Sequence, residues 1–252
     1  MHDCTPVLRR SLGYYGGFML TRAALIFTLL PLCACKPTEE SRMKAIIGAV
    51  LIDGEGGPPV SGSVVVVAGG RIRASGAGST VPIPAEADNI DGSGKFLVPA
   101  LVEVSSGARI SSLAEVESQV KNGASAFIGM IRDTENLDPE FLATLRNLQI
   151  VFAPALAAAG DRVEIAKHNT RRLFQAGVPI ALAPDGRDAQ REIELLQDAG
   201  LPPLDAIVAG TRNGTIQPGK PANLLLLSAN PGEDVRNLRK VALKMVNGEW
   251  VQ

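Results

Sequence analysis

From Lys44 onward the apolar residues come in short runs broken by turn residues. KAIIGAVLID (44–53) reads as a strand that ends in the turn GEGGPP. SVVVVAGGRIRASG (63–76) reads as two strands folded about Gly69-Gly70, a pair that accepts the positive φ angles of a tight hairpin. NIDGSGKFLVPA (89–100) sets an Asp91-Gly92 turn before another apolar run. At the far end, NLLLLSA (223–229) and KVALKMVNGEWVQ (240–252) are again strand-like, the second around Asn247-Gly248. Both ends of this region are therefore β.

The middle changes period. Ser112 with Glu115 forms a capping box for a helix that stops at Gly123. ASAFIGMI (124–131) is a strand. Asp138-Pro139 is an N-cap followed by an N1 proline, opening a helix with Phe141, Leu142, Leu145 and Leu148 inward. QIVFAPA (149–155) is a strand, and Asp161 with Glu164 caps the helix that ends at Gly177. VPIALAPD (178–185) is a strand, the next helix carries Ala189, Ile193 and Leu196 on one face, and PLDAIVAGT (203–211) is a last helix. Alternating β and α segments imply parallel strands with right-handed crossovers.

The 252 residues carry a formal charge of −1 and only 4% aromatic residues, so neither a basic surface nor stacking platforms for nucleic acid are present. The three cysteines, Cys4, Cys33 and Cys35, all precede the folded body, which excludes a disulfide framework, a thiolate metal site and a catalytic cysteine within it. The histidines are His2 and His168.

The N-terminal stretch reads as an address. Arg22 precedes the apolar run AALIFTLLPL (23–32), too short to span a bilayer, and Leu32-Cys33-Ala34-Cys35 follows. This segment resembles a bacterial lipobox. The resemblance implies lipidation at Cys35 and anchoring in the bacterial cell envelope, facing the periplasm. Residues 1–35 are then signal and lipobox, and 36–43 a tether. Met19 makes a more ordinary start than Met1 for so short an apolar region.

Two segments carry a further resemblance. TIQPGKPANLLLLSANPGED (215–234) is similar to the closing stretch of metal-dependent amidohydrolases of the imidazolonepropionase and prolidase type, where a "G-T-I-x-P-G-K-x-A-D-L" segment returns the chain to a β-sandwich. GKFLVPALVEVSSG (94–107) resembles that family's first barrel strand, usually "G-x-x-x-x-P-G-L-I-D-x-H-x-H". The fold implied is α/β: a truncated (β/α) TIM-type barrel over 99–212, inserted in a composite β-sandwich formed by 44–98 and 213–252. About four strands fall in 99–212, where a full eightfold barrel takes about 250 residues. The family's central strands are missing between about Ile131 and Asp138.

The resemblance also implies a reaction, hydrolysis of non-peptide C–N bonds or dipeptides. In the family, zinc or another divalent metal lowers the pKa of a bound water and polarises the scissile carbonyl. Its ligands are the H-x-H pair, groups on middle strands and an aspartate on the last. Here Ser105 and Gly107 stand at the histidine positions, the middle strands are absent, and Gln190 stands where relatives often carry a histidine. Asp185 keeps the aspartate position, as a relic ligand and proton shuttle or as the N-cap of the next helix. Glu103 replaces the usual strand-end aspartate, as a relic or a salt-bridge partner. His168 is a base or a solvent-facing residue of a helix. A catalytic zinc needs about three protein ligands, mostly histidine, so no metal cofactor is expected. GASAF (123–127) is not a nucleophile elbow and GEGGPPVSG (54–62) lacks the lysine of a phosphate loop.

Three readings follow: an amidohydrolase-type protein without catalysis, a pseudoenzyme that binds a ligand or partner, or a decayed deletion product. A parallel sheet cut from a barrel should also leave two unpaired edges and a wet apolar inner face. Either the half-barrels pair as a homodimer, or the chain folds over that face.

Overall fold

The structure is a computed structural model, and it describes residues 43–104, 106–183, 188–212 and 214–251. Cys35, Ser105 and Asp185 lie outside the described residues.

The stretch expected to be one strand is two, β1 (Lys44–Ile47) and β2 (Val50–Leu51). Gly48 breaks it, at φ +84°, where a Cβ would meet Ser93 Oγ at 2.8 Å. That left-handed residue lets the chain leave one sheet and enter another. Then come β3 (Ser63–Ala68), β4 (Arg71–Ala77), β5 (Asp88–Asp91) and β6 (Phe96–Pro99). Gly69 and Gly70 both have positive φ, as the β3–β4 hairpin requires.

In the middle, β7 (Ala108–Ile110) leads to α1 (Leu113–Lys121), β8 (Ala126–Gly129), α2 (Pro139–Asn147), β9 (Val151–Ala153) and α3 (Val163–Gln175). Two short helices, α4 (Ala189–Asp198) and α5 (Pro203–Thr211), precede β10 (Leu224–Leu227), β11 (Val241–Val246) and β12 (Glu249–Val251). None of these helices is long and apolar enough to cross a membrane.

Strands from the two ends mix. One sheet has the order β4-β3-β1-β5 and the next β12-β11-β10-β6-β2, so β10 pairs antiparallel with β6 across the whole middle of the sequence. Ile46, Val65, Val67 and Ile72 from the first sheet pack on Leu97, Leu224, Leu226 and Met245 from the second. Val64 and Val66 pack with Val81 on the other side of β3, so this valine run is buried on both faces. Lys44 closes the ring of termini, donating to Gly248 O and Glu249 Oε2 at 2.7 Å each.

The third sheet is parallel, in the order β7-β8-β9. Backbone pairing continues past β9: Phe152 N donates to Pro179 O at 2.8 Å and Ala181 N to Phe152 O at 2.9 Å. It continues again where Val104 N donates to Leu182 O at 3.0 Å, in the stretch just before β7. The segment 178–185 was expected as a full strand, but Ile180 and Leu182 make only single bridges, to Phe152 and Glu103. The first strand, expected to end near Ser105, resumes pairing as β7.

These pairings correct the expectation of unpaired edges and a wet face. Phe127 and Phe152 point outward, edge to face with centroids 6.3 Å apart, into the core beneath the helices. On the opposite face Ile128, Ala153, Ala181 and Ala183 pack on one another with Val104, Val151 and Ala155, and the first four are at most 6% exposed. Three of those four are alanines, small enough for neighbouring strands to curl together. Gly129 marks the tightest approach, where a Cβ would collide with the carbonyl of Ile110.

Three local readings also change. Ser112 caps α1 through Glu115 N, but Glu115 reaches back to Ser111 rather than to the cap itself. Asp161 sits in a 3₁₀ turn, and α3 starts at Val163 without a side-chain cap. Leu148, expected inward, is 54% exposed because it stands at the C-cap of α2, beyond the buried stripe of Leu142 and Leu145.

Candidate functional site

Parallel α/β sheets present their reactive groups at the C-terminal ends of the strands. In this chain that end is formed by the loops after β7, β8 and β9, whereas Gly107 stands just before β7. Gly107 lies against β8. A Cβ on it would stand 3.0 Å from Ile128 Cγ1 and 3.2 Å from Ala126 O, so a side chain there needs these neighbours to give by a few tenths of an ångström. As glycine, the position that the resemblance assigns to the second histidine supplies no donor atom.

The other candidates are dispersed. His168 is exposed on α3, in an outer groove with Glu135, Glu164, Lys167 and Arg171. Gln190 Nε2 donates to Leu238 O at 3.4 Å, which ties α4 to the C-terminal segment. Glu103 is half-buried; its backbone bridges Leu182, and it makes no ion pair with a described residue. The N-cap of α4 is Asp188, whose side chain accepts from Gln190 N at 3.0 Å, and this replaces the capping role considered for Asp185. A hydrogen bond from Arg239 holds the Asp188 carboxyl below the ordinary carboxylate range. Arg239 also bonds Glu194 at 2.6 Å, so the segment before β11 is clamped to α4.

Sequence reasoning passed over two residues. Glu192 is fully buried on α4, and it accepts from Leu156 N at 2.7 Å and Ala157 N at 2.8 Å, the start of the loop after β9. Its sequence signal is weak: a glutamate beside Ile193 in an otherwise apolar stripe. Arg212, just after α5, is half-buried, and its Nε and Nη2 both donate to Ile180 O, at 3.1 and 3.0 Å. Burial lowers its pKa from the usual arginine value.

Two clefts flank the parallel sheet. One, of about 480 Å³ near the C-terminal ends, is lined by Ser111, Ser112, Arg132, Asp133, Asp161 and Arg162. The other, of about 530 Å³, opens at the N-terminal ends of β8 and β9 and includes Glu103, Ser106, Ser125, Gln149 and Arg212. Among the described residues no group of three or more His, Cys, Asp or Glu is placed to hold a metal ion. The described donor set does not fit a family-type metal centre.

The fold as a whole is similar to solved structures. Molinate hydrolase aligns over 84% of this chain and 95% of that one, with a TM-score of 0.68 at 14% identity. The fold is that of the amidohydrolases. An amidohydrolase structure aligns with a TM-score of 0.67 at 12% identity, over 83% of this chain and 98% of that one. A putative prolidase from Bifidobacterium longum aligns with a TM-score of 0.57 at 17% identity, over 83% and 94%. No sequence-family model matches the chain, and no curated protein matches it. The amidohydrolase fold is therefore present here with glycine at one of the two first-strand histidine positions.

Proposed function

We propose that this chain is an amidohydrolase reduced to a metal-free binding frame and tethered by lipid to the bacterial cell envelope, facing the periplasm. The domains read as a signal and lipobox over 1–35, a tether over 36–43, a composite sandwich of 44–98 and 213–252, and a truncated (β/α) barrel over 99–212. The observation that carries this reading is Gly107, which supplies no donor atom at the position the resemblance assigns to a metal-binding histidine and lies against β8. The histidine count supports the same reading, since His168 sits on an outer helix face and His2 in the signal region.

A binding role is favoured over a decayed product by the packing. The core beneath the helices is continuous from Ile110 to Leu238. The alanine-filled inner face suits a shortened sheet, which a random deletion would leave mismatched. A cooperative thermal melt of the full chain supports this reading, and a broad, non-cooperative melt favours decay.

The anchor has its own test. Replacing Cys35 by Ser should move the protein from the membrane fraction to the soluble periplasmic fraction and remove the mass of the acyl chains. Equal fractionation of both proteins, with no mass difference beyond the substitution, defeats the lipoprotein reading. A single acyl chain holds a membrane only marginally, so the expected modification carries more than one.

A further inference from the structure

We infer that the cleft at the N-terminal ends of β8 and β9 is a binding site for a small zwitterion, held by Arg212 at its carboxylate and Glu103 at its ammonium group. This deepens the binding reading above and requires only that the ligand be held and not hydrolysed.

Arg212 and Glu103 are both half-buried and line one cleft of about 530 Å³. Neither is in an ion pair, with each other or with any other described residue. Two charges of opposite sign that line one cleft are matched by a ligand carrying both signs.

Geometry supports this. Nε and Nη2 of Arg212 grip Ile180 O, which fixes the plane of the guanidinium and leaves Nη1 without a described partner. A fixed guanidinium edge suits a carboxylate. Ser106, Ser125 and Gln149 add neutral hydrogen-bonding groups, and Val102, Val104 and Val151 give the cleft an apolar wall. A few placed polar groups on an apolar wall is the usual make-up of a small-molecule site.

The test is calorimetric titration of the full chain in detergent micelles with β-alanine, 4-aminobutyrate and 6-aminohexanoate, which carry both charges at increasing separation. Hexanoate and hexylamine serve as single-charge probes. The expected result is saturable binding of at least one amino acid, with both single-charge probes weaker by about tenfold or more. Glu103→Gln should weaken binding about tenfold or more as well; the carboxylate accepts no hydrogen bond from described residues, so this variant should fold normally. Arg212→Lys, which keeps the charge and loses the fork, should weaken it too. The proposal is overturned if no amino acid binds below about 10 mM, if hexanoate binds as tightly as 6-aminohexanoate, or if Glu103→Gln binds like the wild type. Metal found in the same sample would defeat the metal-free reading while leaving a positive binding result intact.

Discussion

Gly129→Ala should destabilise the protein by more than about 3 kcal/mol, among the largest effects of any single methyl group in the chain. Gly129 has φ +133°, a conformation that side chains rarely adopt, and its Cβ would collide with the carbonyl oxygen of Ile110. That oxygen belongs to the backbone of β7, so relief requires separating β7 from β8. Both strands would then lose pairing, and Ile128 would be pulled from the alanine cluster on the inner face. Gly160→Ala is the matched control. Its φ is +60° with nothing within 4 Å of a new Cβ, so only the left-handed backbone penalty applies, about 1 to 2 kcal/mol. Thermal and urea melts of the two variants should differ clearly; equal losses would mean that β7 and β8 do not approach as closely as described.

Glu192→Ala should cost about 2 to 4 kcal/mol through a different mechanism. The carboxylate is fully buried and accepts the backbone N–H groups of Leu156 and Ala157, which open the 3₁₀ turn after β9. Removing it leaves two donors without that acceptor and a void beside Ile193. Glu192→Gln keeps one acceptor oxygen and should lose less. Urea titration of both variants checks the order, and an alanine variant as stable as the wild type would show that the loop does not depend on this carboxylate. The prediction concerns stability, because the buried position makes Glu192 a scaffold residue for the strand ends.

Much of the architecture is legible in the sequence because it rests on local chemistry. Gly69-Gly70 and Asn247-Gly248 specify their hairpins through positive φ. Ser112 and Asp138 specify helix starts through side-chain oxygens that accept from backbone N–H groups. The resemblance at 94–107 and 215–234 pointed to a fold that the solved structures share.

What escaped the sequence depends on distant partners. The break at Gly48 arises because β1 must pair with β3 while β2 pairs with β6, a demand invisible in an apolar run. The resumption of the first strand as β7 depends on β8 lying alongside Gly107 and Ala108. The expectation of a wet inner face follows from finding only about four strands of an eightfold barrel. Alanines at 153, 181 and 183 allow neighbouring strands to fold that face onto itself. Glu192 and Arg212 gave no local signal, since what defines each is a backbone group far along the chain: Leu156 N and Ala157 N for one, Ile180 O for the other.

The central claim is that an amidohydrolase fold persists here without its metal centre. The most direct measurement is the metal content of the purified full chain after exhaustive dialysis, by elemental analysis against protein concentration. The account predicts far less than about one equivalent of zinc or manganese, and no chelator-sensitive hydrolysis of dipeptides or acyl-amino acids. A tightly held equivalent, lost only to a strong chelator and taking hydrolysis with it, would contradict the account.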